Sequence, residues 1–160
     1  MATRSGGKDN GLSEINLVQQ LQRWADGKAT LKEVRGYSDE ELYSIARTGY
    51  FFYHQGRLEE ARAVFQGLYA LNPLDPYFAR ALGVVELAAG NPRGAMAAYD
   101  VAIKLAPDDP SGYVGRAEVC FAVGQKSSGV EDLRRASEVG DPAHPVKAKV
   151  FAMLEDFSNR

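Results

Sequence analysis

The side chains here whose types could do chemistry are few: two histidines, His54 and His144, and one cysteine, Cys120. A zinc site needs histidines or cysteines at short, regular spacing, and these two histidines lie far apart. A cysteine nucleophile needs a base beside it, and no histidine is near Cys120 in sequence. Its helical position puts Cys120 on a packing face, where a free cysteine behaves as a small buried residue. Gly6-Gly7 has no strand before it and no helix directly after it, so it does not read as a phosphate loop. The acidic pairs Glu59-Glu60 and Asp108-Asp109 fall at predicted helix N-termini, where negative charge suits the helix dipole. No catalytic constellation, metal site or cofactor motif follows from these residues. The expectation is a non-enzyme whose function is carried by a surface.

The elements that would form such a surface are written in a repeat. Gly56, Gly90 and Gly124 are spaced by 34 residues, as are Pro73 and Pro107. Ala61 and Ala95 keep that offset, as do Phe65 and Tyr99, and Gly49, Gly83 and Ala117. A period of about 34 with this punctuation is the tetratricopeptide pattern, one helix–turn–helix unit per period. The predicted fold is all-α: three such repeats in a right-handed solenoid, at 42–75, 76–109 and 110–143. Each glycine ends a helix, where a left-handed conformation is cheap. Asp75-Pro76 and Asp109-Pro110 open helices, aspartate as cap and proline at the first position. Small residues at Gly49, Gly83 and Ala117 on first helices are expected to face Ala61, Ala95 and Gly129 on second helices, letting the axes approach. Phe65, Tyr99 and Leu133 are expected to fill the space between repeats. In the third repeat Gly129 replaces alanine, Leu133 replaces an aromatic and Pro142 comes one residue late.

Residues 1–11 are small and polar and read as disordered, without the apolar stretch of a signal peptide. Residues 12–41 form a helical region in which Leu12, Ile15, Val18, Leu21 and Trp24 recur at helical spacing. That apolar face packs on the same chain or meets a second copy. Thr30-Leu31-Lys32-Glu33 is a capping box, and Ser38-Asp39-Glu40-Glu41 is a second. Residues 144–160 carry Val146, Val150, Met153, Leu154 and Phe157 on one face, a capping helix over the third repeat.

Composition bounds the partners. Nineteen basic and 21 acidic side chains give a net charge of −2 over 160 residues, which offers no field for nucleic acid or anionic membrane. A lone cysteine fits a reducing compartment, and no apolar run is long enough to span a bilayer. The expected setting is cytoplasmic.

First helices of stacked hairpins line one face of the solenoid. The inward positions are Tyr43, Ala46, Tyr50 and Tyr53 in repeat one, Tyr77, Arg80, Val84 and Leu87 in repeat two, and Ser111, Val114, Glu118 and Phe121 in repeat three. Such an aromatic and aliphatic groove is suited to an extended peptide bearing proline and leucine. A clamp for a peptide C-terminus would need several Lys, Arg or Asn side chains converging. The inward positions offer Arg80, with Arg47 nearby.

The run Ala29-Thr30-Leu31-Lys32-Glu33-Val34-Arg35-Gly36, then Ser38 to Leu42, resembles the segment before the first repeat in class II chaperones of bacterial type III secretion. The run from Gly49 to Phe65 resembles that family's first repeat, including Tyr50 and Tyr53, and Ala117-Glu118 with its helix resembles the third. The resemblance covers about residues 12–157. It implies a chaperone that holds a segment of hydrophobic translocator proteins in its groove, keeping them soluble and unassembled before export, with self-association through the N-terminal helix. A homodimer and translocator partners follow from it. The aromatic pocket carries over to Tyr50 and Tyr53. A third family aromatic falls on Ala46 here, with Tyr43 one turn earlier placed to fill that space, and Arg80 stands where an uncharged residue is common. The alternative is a tetratricopeptide scaffold with some other peptide partner.

Overall fold

Among the described residues six glycines take positive φ, and three of them, Gly56 (72°), Gly90 (76°) and Gly124 (80°), are the residues spaced by 34. Only a residue without Cβ adopts this conformation without strain, so each closes a helix and reverses the chain. The computed structural model describes residues 14–158, with side chains described from Val18 onward. Leu12 lies outside the described residues, as does the side chain of Ile15.

The chain divides after Ser38 into two compact units. The first holds α1 (Glu14–Ala25) and α2 (Leu31–Arg35). The capping box of α2 is complete: Glu33 N–H donates to Thr30 Oγ1 at 3.3 Å, and Thr30 N–H donates to Glu33 Oε2 at 2.6 Å. That backbone hydrogen bond holds the Glu33 carboxyl below its ordinary range. Gly36 ends the helix in the left-handed region.

The second unit is a row of helical hairpins. They are α3 (Asp39–His54) with α4 (Leu58–Leu71), α5 (Pro76–Ala88) with α6 (Pro92–Leu105), and α7 (Pro110–Ala122) with α8 (Lys126–Glu138), followed by α9 (Lys147–Ser158). Each hairpin packs on the next through α4 against α5 and α6 against α7, and α9 packs on α8. Asp75 and Asp109 cap α5 and α7, each accepting a backbone N–H two residues on, with proline at the first helical position.

The small residues of the first helices make room for rings. A Cβ at Gly49 would stand 2.8 Å from the Phe65 ring, and one at Gly83 would stand 2.8 Å from the Tyr99 ring. The nearest neighbours are therefore these aromatics, sixteen residues on, and not Ala61 and Ala95. A Cβ at Gly129 would likewise stand 2.4 Å from the Phe121 ring. Tyr99 also reaches the following repeat, where a Cβ on Gly115 would sit 2.1 Å from it. One ring thus occupies two missing side chains and joins repeats two and three. The end of the stack is covered by α9: Val150, wholly buried, joins a core cluster with Leu133, Ala136 and Val114, and Met153, Leu154 and Phe157 pack against it. Lys147 is also buried, its Nζ donating to Ser137 O at 2.8 Å and Val139 O at 2.5 Å at the end of α8. Among the described residues no helix is long and apolar enough to cross a membrane.

Candidate functional site

The groove is built on the exposed faces of α3, α5 and α7. In α7, Ser111, Val114, Gly115 and Glu118 fall at 3–4 residue spacing on one side of the helix. Tyr113, Arg116 and Cys120 fall on the opposite side. The first set lines a cavity of about 290 Å³ together with Tyr50, Tyr77, Arg80, Val84, Tyr99, Val146 and Lys149. Three repeats and the C-terminal segment meet there. Among the groove residues expected from sequence, seven converge: Tyr50, Tyr77, Arg80, Val84, Ser111, Val114 and Glu118.

The other five do not line the cavity. Tyr43 borders it: its ring meets Tyr77 edge-on at 5.3 Å, and its hydroxyl donates to Asp75 Oδ2 at 2.8 Å. That hydrogen bond, aided by partial burial, pushes the Tyr43 phenol up to about 12. Ala46 is fully buried and offers no surface. It stands one turn from both Tyr43 and Tyr50, whose rings each meet Tyr77. Tyr53 is half-buried a turn beyond Tyr50, beside His54. Leu87 packs with Val84 and Met96 against Ala95, Tyr99 and Val119. Phe121 stacks on Phe157 at 4.8 Å, which places it under α9. In α1, Val18, Leu21 and Trp24 are exposed by 66%, 42% and 47%, an apolar face open to a partner.

The cavity is aromatic in body and polar at its tips. Tyr50 meets Phe65 edge-on at 5.0 Å, and burial raises its phenol, with Tyr77 close by. Burial likewise raises Tyr99, with Glu118 adding to the effect. Two ion pairs flank the rings. Arg80 donates to Asp109, and Lys149 donates to Glu118, joining α9 to α7. On the opposite side of α7, Cys120 is buried and its thiol is raised by desolvation, away from the thiolate that a nucleophile needs.

Sequence reasoning missed Tyr99, Gly115, Val146 and Lys149 as groove residues. Tyr99 had been assigned to packing, and it does both: its edge fills the glycine sites while another part faces the cavity. For the tail a signal existed. Pro107 to Pro142 spans 35 residues, one more than the period, and the same step carries Ser111 to Val146 and Val114 to Lys149. The capping helix therefore continues the inward positions of the first helices.

A sequence profile described as Tetratricopeptide repeat matches residues 12–76 and 52–110. The chain belongs to the tetratricopeptide repeat family. Among its relatives is the chaperone protein SicA of Salmonella typhimurium, 27% identical over 120 residues, which are 74% of this chain and 73% of SicA. The tetratricopeptide fold is shared with the translocator chaperone SycD of Yersinia enterocolitica. SycD bound to a peptide of the translocator YopD superposes with a TM-score of 0.68 at 25% identity, covering 76% of this chain and 95% of that one. SycD also occurs as an alternative dimer. PcrH of Pseudomonas aeruginosa, in complex with the chaperone binding region of PopD, superposes with a TM-score of 0.70 at 24% identity. That match covers 78% of this chain and 96% of PcrH. These relatives are chaperones, and two of them hold a partner's segment.

Proposed function

We propose that this chain is a chaperone of a type III secretion system, binding an extended segment of a hydrophobic translocator in the groove of its tetratricopeptide repeats. It keeps that translocator soluble and unassembled in the bacterial cytoplasm before export. It works by binding alone, without catalysis or a cofactor. The observation that carries this reading is the cavity where Tyr50, Tyr77, Val84 and Val114 from three repeats converge. The relatives SycD and PcrH, seen with translocator segments, support the same reading.

The physical logic is that of a holdase. Translocators carry membrane-seeking segments that would otherwise aggregate or insert in the wrong bilayer. Burying two or three apolar side chains of an anchor, at about 1.5–3 kcal/mol each, leaves a modest surplus after the segment is ordered. Binding of that strength holds the cargo and still releases it. The exposed face of α1 is read as the contact of a homodimer, in line with the dimer recorded for SycD.

Co-expression with the hydrophobic proteins encoded nearby, followed by pull-down, tests the function. Recovery of a translocator is expected. The double substitution Tyr50→Ala with Tyr53→Ala is expected to weaken that capture while circular dichroism stays helical. Unchanged affinity by calorimetry would remove the groove from the account.

A further inference from the structure

The hairpins stack through α4 on α5, α6 on α7 and α8 on α9, so each junction is packed along its second-helix side. The groove side is formed by α3, α5, α7 and α9, and a polar bond crosses it at each junction. Tyr43 on α3 donates its hydroxyl to Asp75 Oδ2, at the start of α5, at 2.8 Å. Arg80 on α5 donates Nη1 to Asp109 Oδ2, at the start of α7. Lys149 on α9 donates Nζ to Glu118 Oε1 on α7. The partners lie 32, 29 and 31 residues apart, so the bonds recur at close to the period of the repeat.

Two of these acceptors are also helix caps. Asp75 Oδ1 accepts the Tyr77 N–H at 2.9 Å, and Asp109 Oδ1 accepts the Ser111 N–H at 2.8 Å. A cap uses one oxygen, which leaves the other for the preceding repeat. His144 Nε2 stands 3.7 Å from Asp109 Oδ1, so the C-terminal segment approaches the same carboxylate. At the α3–α5 junction the rings of Tyr43 and Tyr50 also meet Tyr77. At α5–α7 the Tyr99 ring fills the sites of Gly83 and Gly115 and keeps the two helices from closing. The Arg80–Asp109 pair, on the groove side, keeps them from opening. Both ion pairs are partly exposed, at 26% on each side chain in the first and 56% and 37% in the second. Pairs of this exposure add little to global stability. Their place away from the packed second helices lets them act on the angle between hairpins instead.

We propose that Asp109 and Glu118 are positioning residues of the peptide site: through Arg80 and Lys149 they hold α5, α7 and α9 at the spacing that lets one segment touch all three. The inference rests on the groove reading above and deepens it, by naming what sets the width of the groove. The segment itself needs no charge, since each of the four groups has its partner within the chain. A groove that is open to the right width for only part of the time binds with an affinity reduced by that fraction. Losing one bracket is thus expected to weaken binding roughly two- to fivefold, the worth of one exposed pair.

The test uses the full chain in two measurements. In the first, spin labels on Ser44→Cys of α3 and Ala148→Cys of α9, both exposed positions, report the distance across the groove by pulsed electron resonance, the native Cys120 being buried. In the second, calorimetry follows an uncharged, end-blocked synthetic peptide bearing proline and leucine. Asp109→Asn keeps a good cap, because asparagine caps as well as aspartate, and turns an amide donor toward Arg80. It is expected to broaden the distance distribution and weaken the peptide, while thermal melts stay close to those of the unaltered chain. Glu118→Lys and Lys149→Glu are each expected to do the same, and the two together, which restore the pair with its charges exchanged, are expected to recover both the narrow distribution and the affinity. Direct contact with the peptide predicts no such recovery, so additive losses in the exchanged pair overturn the inference. Unchanged distances in all variants, or broadened distances with unchanged affinity, overturn it too and leave the groove reading standing. Failure of the unaltered chain to bind the peptide overturns the groove reading and this inference with it.

Discussion

Adding one methyl group at two glycines should give effects of opposite sign. Gly115 lies on α7 with its missing Cβ pointing at Tyr99, and an added carbon would sit 2.1 Å from Cε1 and 2.3 Å from Cζ of that ring. Carbon atoms rest at roughly 3.5–4 Å, so the ring or the helix must move by roughly 1.5 Å. The ring has nowhere to retreat. Its other edge already stands 2.8 Å from where a Cβ on Gly83 would be, and only 3% of Tyr99 is exposed. Overpacking of this kind costs about 1–3 kcal/mol, and more when backbone must shift. Alanine recovers about 1 kcal/mol of helix propensity, which offsets only part of that. Gly115→Ala is therefore expected to lower stability by about 1–2 kcal/mol. Gly67, on α4, has ordinary helical φ and nothing within 4 Å of an added Cβ, so Gly67→Ala keeps the propensity gain and is expected to raise stability by up to about 1 kcal/mol. Urea unfolding followed by circular dichroism measures both. A third variant, Tyr99→Leu with Gly115→Ala, should be less harmful than the two single changes summed, because the smaller side chain yields the space. Additive costs, or a stabilising Gly115→Ala, would refute the packing of Tyr99 between two glycines.

Three further outcomes are expected. The Tyr43 phenol, raised to about 12 from its ordinary value of 10.0 by its hydrogen bond to Asp75, keeps its proton in the folded state where the unfolded chain loses it. Its contribution to stability is thus full below pH 10.0 and is lost as pH rises toward 12, and Tyr43→Phe should lessen that decline in urea unfolding across the alkaline range. Lys147→Met should cost about 1–3 kcal/mol, because the buried ammonium that satisfies Ser137 O and Val139 O is removed and two carbonyls lose their partner; an unchanged urea midpoint would show that water replaces it. Deleting residues 1–28, and with them the exposed Val18, Leu21 and Trp24, should reduce the number of chains per particle in light scattering while the melting of the repeats stays the same; equal particle mass before and after would rule out α1 as the contact.

Periodicity made the helices legible. Glycines 34 residues apart announce positions where φ is positive, and Asp-Pro pairs announce where α5 and α7 begin, because these residues solve local problems of turn and cap that no distant contact changes. The same logic located Thr30 and Glu33 as a capping box. The groove was legible only in part. Helical spacing finds which side chains share a face of one helix, so Tyr77, Arg80 and Val84 of α5 could be grouped in advance. It does not say which of them a neighbouring element covers. Ala46 and Phe121 were expected at the surface on that spacing, and the first is fully buried while the second stacks on Phe157.

By itself the sequence determined the helices, their order and the turns between them, since propensity, capping and left-handed glycines act within a few residues. It also determined which faces are apolar enough to pack. Tertiary structure alone decided that one ring, Tyr99, serves both as the wedge between repeats and as a wall of the groove. It alone brought Lys149 across from Arg80, sixty-nine residues away along the chain. The reason is physical. A groove is assembled from side chains whose contacts depend on how hairpins stack and how the last helix closes the stack, and those distances are set by packing of the whole core, which no local pattern encodes.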